Sequence, residues 1–414
     1  MLSVGTDIVE VGRIKKSMKN PRFCRRVFGS AENKWFAGKA FPAESAAVAF
    51  CAKEAFAKAV GTGFGRFGPC DVQLLHNEKT GRPYISLSGN ALRIAGGAHF
   101  SVSVAHTKDY ASAVVIKEKG PLNPPESEGR KILMSVLKPR AADSNKGDYG
   151  RLLCVCGSEG MAGAASMSVS AALRCGTGLV EVALPEAIYP IVASRLAEPV
   201  FTILHPKPDG FASAGDIESI RKSLRRASAV LIGCGLGKST AAQAEVSLVL
   251  KESAVPVIVD ADGINIVAEH IDLLHECRAP LILTPHPGEM ARLLKTSVAD
   301  VQSNRHETAC RFAAEHNAIT VLKGAGTLVA SPDGRLYRNT TGNPGMAKGG
   351  SGDVLAGMAA SFAAQGAEPF NAAAGAVYLH GLAGDRCAAR FSQTAMLPTE
   401  IVGMLPEIFR EIGR

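Results

Sequence analysis

Along the first ten residues, LSVGTDIVE alternates strand-like positions, with Asp7 on one face beside Ser3, Gly5 and Val9, and Leu2, Val4 and Ile8 on the other. The Asp7 carboxylate is therefore expected to point away from one packed face. The stretch PAESAAVAFCAKEAFAKAVGTG reads as a helix entered near Pro42 and stopped at Gly61, with Phe50, Glu54 and Lys58 on one stripe. A strand pair is expected around HTKDYASAVVI. Between Ile116 and Lys131 the chain reads KEKGPLNPPESEGR, whose prolines, glycines and alternating charges cannot support a core. A linker is placed at 119–130, between domains 1–118 and 131–414. After residue 150 the apolar runs end in glycine loops and alternate with Ala-rich helices: LLCVCGSEGMAGAASM, AVLIGCGLGKS, VIVDADGIN, LILTPHPGEM, ITVLKGAGT and NPGMAKGGSGDVLAGM. This alternation predicts an α/β layer architecture whose loops gather at the carboxyl ends of a parallel sheet, where open α/β proteins bind ligands.

The length of 414 residues exceeds what one core usually fills, which agrees with two domains. A hydrophobic share of 46% against 20% charged is that of a globular chain rather than a disordered one. Charge sharpens the division. Residues 1–120 hold 18 Lys+Arg against 9 Asp+Glu and the remainder 28 against 29, so the positive excess belongs to the first segment. Such an excess, which includes Arg13, Lys15, Lys16, Arg22, Arg25 and Arg26, implies an acidic partner: a nucleic acid, an anionic lipid or an acidic protein. The ten cysteines include no Cys-x-x-Cys and no zinc spacing, and read as reduced packing residues. Asp7 and Glu10 interrupt any apolar signal core, and no apolar run approaches the ~20 residues of a membrane span, so a cytoplasmic location is expected.

Taken alone, Glu54 and Lys58 read as an exposed i,i+4 ion pair worth roughly 0.3–0.5 kcal/mol. GTDIVE, AKEAFAKAVGTG and HTKDYASAVVI, in this order, together resemble holo-acyl-carrier-protein synthase, an α+β phosphopantetheinyl transferase. The resemblance implies that Asp7 and Glu54 hold Mg2+ beside the coenzyme A pyrophosphate, where hard oxygen ligands suit that ion. It further implies that Lys58 and the turn from Gly61 to Gly63 meet coenzyme A phosphates, with His106 near the nucleotide. The implied partner is an acidic acyl carrier protein, and the implied assembly a homo-oligomer, a trimer with sites between subunits. The usual Ser-x-Ser-His is here Ser103, Val104, Ala105, His106, one hydroxyl fewer.

In the second segment GCGLGKS, at 233–239, is not a Walker A loop, because the first glycine that loop needs falls at Ile232. It reads as a close backbone approach to a ligand. GGSGD at 349–353 opens the helix VLAGMAASFAAQG, whose first N–H groups are unpaired and form an anion site. An isolated Asp353 would be read as a helix N-cap; three glycines in the four preceding residues favour phosphate instead.

A glycine loop followed by aspartate at a helix start resembles the ribokinase-like superfamily, α/β proteins with a mostly parallel central sheet and flanking helices, in which the aspartate is the catalytic base. KGDYG, GSEGMAGAA, GCGLG, TPHPGE, KGAGT and NPGMAKGGSGDVLAG resemble more closely NAD(P)H-hydrate dehydratase, over about residues 131–414. Asn145, Thr177 and Cys234 depart from its usual histidine, small residue and proline. By position, Ala164, Gly235, His286 and Asp353 would contact the hydrate of NADH or NADPH (NADHX or NADPHX). Lys323, Gly324, Ala325, Gly326, Thr327 and Gly352 would hold ADP or ATP. No nucleic-acid or membrane partner is expected. The alternatives are an ordinary small-molecule kinase for the second segment and a carrier-protein docking module for the first.

Overall fold

The helix read in the first segment spans Pro42–Val60 in the computed structural model, which describes all residues except 1–2, 40–41, 78–79, 96–97, 119–126, 138 and 208. Its alanines, among them Ala46, Ala52, Ala55 and Ala59, are buried and let the helix lie close to an antiparallel sheet of order β1-β5-β4. These strands are β1 (Ser3–Glu10), β4 (His99–His106) and β5 (Tyr110–Glu118); β2 (Val72–His76) and β3 (Pro83–Leu87) form a separate hairpin.

Here the expected orientation of β1 is reversed. Val4 is 57% and Ile8 67% exposed, whereas Gly5 and Val9 are buried against the helix. The reason is the closeness of the backbones: a Cβ at Gly5 would overlap the Ala55 carbonyl oxygen and the Ala59 amide nitrogen. Alternation separates two faces, but glycine selects the one a helix can approach. Asp7 thus points toward the helix rather than away from the packing.

The chain divides into two units, Met1–Pro125 and Glu126–Arg414. Of the stretch read as linker, 119–126 lies outside the described residues. Its end is structured: the Ser127 hydroxyl accepts from the Arg130 N–H at 3.2 Å and caps a helix, Glu128–Val136, whose Leu133 and Val136 join the core of the second unit.

That unit is built on nine strands: β6 (Arg151–Val155), β7 (Leu179–Pro185), β8 (Val200–Leu204), β9 (Ala229–Ile232), β10 (Val257–Val259), β11 (Leu281–Leu283), β12 (Ala318–Leu322), β13 (Leu328–Ala330) and β14 (Leu336–Arg338). Their order is β14-β13-β12-β11-β10-β9-β6-β7-β8, parallel except for the β12-β13-β14 edge. Alternate residues supply two cores, Leu152 and Cys154 to one face and Leu153 and Val155 to the other, which explains why these strands read as unbroken apolar runs. The order in which the chain adds its parallel strands reverses between β6 and β9, outward through β7 and β8 on one side and through β9 and β10 on the other. At such a switch point the loops diverge and leave a crevice at the carboxyl ends of the strands. Among the described residues no helix is long and apolar enough to cross a membrane.

Candidate active sites

Where the carboxyl-terminal half of the Pro42–Val60 helix passes β1, Lys58 Nζ donates to Asp7 Oδ1 and to the Thr6 carbonyl, each at 2.9 Å. The lysine pairs across the helix–strand contact and not with Glu54 one turn back. The reason is geometric, since β1 offers two acceptors side by side where the helix surface offers one. Burial and the charge of Asp7 push the Glu54 carboxyl up, while Lys58 and Arg13 oppose them. Two carboxylates with a half-exposed lysine present hard oxygens to solvent, a donor set that fits a divalent ion keeping waters and phosphate oxygens. Gly61 and Gly63 follow at φ 77° and 55°, with open space above both.

His106 lies elsewhere. Its Nδ1 is 3.6 Å from Glu44 Oε2, toward the opposite end of the same helix. There it lines a cavity of about 490 Å³ with Trp35, Lys39 and His76, the Trp35 and His76 rings stacked 4.6 Å apart. Within one chain the described contacts do not bring His106 to Asp7.

In the second unit the strand-end loops meet the first turn of the helix Ser351–Ala364. Its N-cap is Gly350, at φ 97°, so Asp353 stands inside the first turn and is not the cap. Burial, then the charge of Asp260, push the Asp353 carboxyl up to about 6. Asp260 follows β10 and is 1% exposed. Lys323 Nζ donates to Asp260 Oδ1 at 2.7 Å, and the Thr284 hydroxyl donates to the same oxygen at 2.6 Å. Burial alone would raise Asp260; Lys323 and these hydrogen bonds overcome it and hold the carboxyl below its ordinary range. Glu289 Oε2 lies 3.7 Å from Lys323 Nζ, and burial pushes its carboxyl up to about 7.

Cys234, Asp260 and Asp353 bring one donor atom each within 4.8 Å of one another. One donor is a soft thiol, and Lys323 already sits on Asp260, so the cation of this cluster is the ammonium. A Cβ at Gly352 would come 3.3 Å from Lys323 Nζ, which places the lysine beneath the glycine loop.

At the switch point the Gly157 N–H donates to the Cys234 carbonyl at 2.9 Å and the Ser158 hydroxyl to the Gly235 carbonyl at 2.8 Å. Gly235 packs on Ala164, where a Cβ would come within 2.7 Å of the alanine methyl. Gly233 corrects the expectation for GCGLGKS in part: a Cβ there would overlap the Asp260 carbonyl oxygen, so its close approach is to the protein itself. His286 caps the helix Pro287–Leu293, its Nδ1 accepting from the N–H groups of Gly288 at 3.0 Å and Glu289 at 3.3 Å. The proton is therefore on Nε2, and burial with Lys323 and Arg292 holds the ring neutral, a donor rather than a cation.

The sequence profile of the NAD(P)H-hydrate dehydratase family matches residues 152–407. The chain belongs to that family. A bifunctional NAD(P)H-hydrate repair enzyme of Moorella thermoacetica is 43% identical over 278 residues, 67% of this chain and 52% of that protein. The ADP-dependent (S)-NAD(P)H-hydrate dehydratase of Bacillus subtilis is 35% identical over 276 residues, 67% of this chain and 95% of its own. A crystal structure of the ADP/ATP-dependent NAD(P)H-hydrate dehydratase from Bacillus subtilis, co-crystallised with ATP/Mg2+, superposes with a TM-score of 0.58 at 31% identity, covering 68% of this chain and 96% of that one. The chain spans about half the length of the bifunctional relatives it matches. Residues 3–115 match the 4'-phosphopantetheinyl transferase superfamily, so the NAD(P)H-hydrate dehydratase segment follows a segment of a second enzyme superfamily.

Of the dehydratase positions read from sequence, Gly352, Asp353 and Lys323 form one cluster, with His286 beside it through Glu289. Ala164 and Gly235 pack together at the switch point, and Gly324 to Thr327 continue away from Lys323, closed by the Thr327 hydroxyl on the Gly324 carbonyl at 2.9 Å. Sequence reasoning missed Asp260, Thr284 and Glu289. The motif VIVDADGIN held the signal for the first, an acidic residue ending an apolar strand as Lys323 ends another. Arg305 was also missed; it donates to the Leu322 carbonyl at 3.0 Å and to the Lys323 carbonyl at 3.3 Å, at the end of β12.

Proposed function

We propose that the second unit dehydrates the hydrate of NADH or NADPH at the expense of ADP or ATP. The observation that carries this reading is Asp353, a carboxylate pushed up to about 6 in the first turn behind a glycine loop, with Lys323 beneath that loop. The substrate bears a hydroxyl at C6 of the reduced ring, and hydroxide is a poor leaving group. Asp353 takes the hydroxyl proton as the terminal phosphoryl passes to that oxygen, leaving AMP from ADP or ADP from ATP. Loop N–H groups and Lys323 stabilise the charge that develops on the transferring group. Phosphate then departs with loss of a ring proton, and the dihydronicotinamide is restored. Ala164, Gly235 and the Nε2 donor of His286 are assigned to the hydrate, and Lys323 to Thr327 with Gly352 to the nucleotide. The test is recovery of dihydronicotinamide absorbance from the hydrate with either nucleotide; accumulation of a phosphorylated product without phosphate release would instead mark a kinase.

For the first unit, its superfamily match and the Asp7, Glu54, Lys58 geometry support transfer of 4'-phosphopantetheine from coenzyme A to a carrier-protein serine. Asp7 and Glu54 would hold magnesium, which neutralises pyrophosphate charge when bound. Lys58, Gly61 and Gly63 are assigned to phosphates. His106, remote within one chain, agrees with a site completed between subunits of a homo-oligomer. The exposed Arg13, Lys15, Lys16, Arg22, Arg25 and Arg26 suit an acidic carrier in the cytoplasm. Mass spectrometry of apo carrier incubated with coenzyme A and magnesium tests this reading, which an unmodified carrier overturns.

A further inference from the structure

Asp260 occupies a position that the proton transfer from the hydrate leaves unexplained. It is buried, it lies at the carboxyl end of the central strand β10, and its two oxygens face different partners. Oδ1 accepts from Lys323 at 2.7 Å and Thr284 at 2.6 Å, while Oδ2 faces the Cys234 thiol at 3.7 Å. One oxygen of Asp353 falls within 4.8 Å of this carboxylate. The next residue, Ala261, is held at φ 49° and ψ −115°, a conformation that side-chain-bearing residues avoid. Strained backbone beside a buried charge indicates a carboxylate placed by the fold rather than tolerated by it.

We propose that Asp260 is a positioning residue of the proton transfer, fixing Lys323 beneath the glycine loop with one oxygen and keeping a permanent negative charge beside Asp353 with the other. A buried carboxylate and a half-buried one this close cannot ionise independently. Lys323 and Thr284 make Asp260 the one that stays ionised, so Asp353 becomes the one that holds a proton more tightly and accepts it from the hydroxyl. The other groups facing Asp353 among the described residues are Cys234, Lys323, Asp262 and Cys156, the last a thiol that burial pushes up and keeps neutral. Asp262 is turned toward the switch point, its Oδ2 accepting the Gly237 N–H at 2.9 Å. On the loop side Ser351 bonds the buried His380, a ring held neutral by burial at about 4, so it adds no charge near neutrality. Asp260 is thus the nearest fixed anion.

The inference rests on the dehydratase reading, and the experiment separates the two. The pH dependence of kcat for hydrate dehydration is measured in wild-type protein, Asp260→Asn and Asp260→Glu, with thermal melting of each. In Asp260→Asn the acid limb is expected to move down by about one pH unit or more and the plateau to fall about 10- to 100-fold, with KM for the hydrate little changed. Asp260→Glu keeps the charge and returns the limb toward its wild-type position. If the asparagine variant does not fold, the smaller neutral Asp260→Ser reads the same loss of charge. A wild-type protein that yields no dihydronicotinamide overturns the dehydratase reading itself. An active wild type whose acid limb stays put in a folded neutral variant, or a glutamate variant displaced as far as the asparagine one, overturns the inference alone.

Discussion

The two carboxylate clusters of this chain differ in what neutralises them. Asp7 and Glu54 stand at the edge of a small open sheet, and the cation bonded to Asp7, Lys58, is 53% exposed and reaches across from the helix. Asp260 and Asp353 stand at the ends of a nine-stranded sheet, with Lys323 17% exposed between Asp260 and Glu289. In the first case solvent screens the charges and leaves the carboxylate oxygens open to ions. In the second, burial makes each charge depend on its neighbours, and the cluster can tune a base. A site open to ions and a site closed around its own cation are built from the same residue types.

The sharpest attempt to break this contrast is Asp353→Asn. As an internal first-turn residue rather than the N-cap, asparagine should leave folding and nucleotide binding intact while dehydration falls by about 10²- to 10⁴-fold. Near-wild-type turnover in a folded variant would refute the assignment. Stability offers the next largest difference. Lys323→Met leaves Asp260 buried without its ammonium and should cost about 3–5 kcal/mol, against about 0–1 kcal/mol for Lys58→Met, both read by denaturant titration. Equal costs would mean that the two clusters do not differ in burial energetics.

Asp7→Asn or Glu54→Gln should slow magnesium-dependent carrier modification by about 10²- to 10³-fold while dehydration continues unchanged. Loss of both activities together would show that the two units are coupled. The pH profile sharpens the second cluster. Asp353 must be unprotonated to accept the hydroxyl proton, so kcat is full above its pKa of about 6 and declines about tenfold per pH unit below it. A rate flat down to pH 4 would place the base elsewhere. The smallest effect belongs to the first unit's surface. Carrier affinity should weaken severalfold from about 0.01 M to 0.15 M salt, as the Debye length shrinks from about 30 Å to about 8 Å. An unchanged affinity would mean that the exposed basic residues take no part in docking.

Legibility in the sequence followed locality. The Pro42–Val60 helix, the hairpin of β4 and β5, the strand-to-loop transitions of the second unit and the helix after GGSGD are each settled within about twenty residues, by apolar period, glycine and proline. GGSGD and Lys323 stood out as candidates in the sequence, and the structure brings them together, the lysine beneath the loop. The same locality explains the misreadings. Alternation in β1 gives two faces equally well, and only the close approach of Ala55 to Gly5 selects the one that packs. The spacing of Glu54 and Lys58 predicts a helix ion pair, but a strand 51 residues away in the chain supplies the better acceptors.

By itself, then, the sequence determined the division into two segments, the α/β alternation, and the glycine loop with the aspartate that follows it, because each is written in neighbouring residues. Only the tertiary structure decided that Asp353 is not a cap, that His286 is a neutral donor, that His106 stands apart from Asp7, and that Asp260 and Lys323 meet beneath the glycine loop. The last two depend on distances between residues far apart in the chain, 63 positions in the case of Asp260 and Lys323, and the first two on local backbone geometry that residue types alone leave open. Burial then turns such distances into charge states, and that is a property no stretch of sequence carries alone.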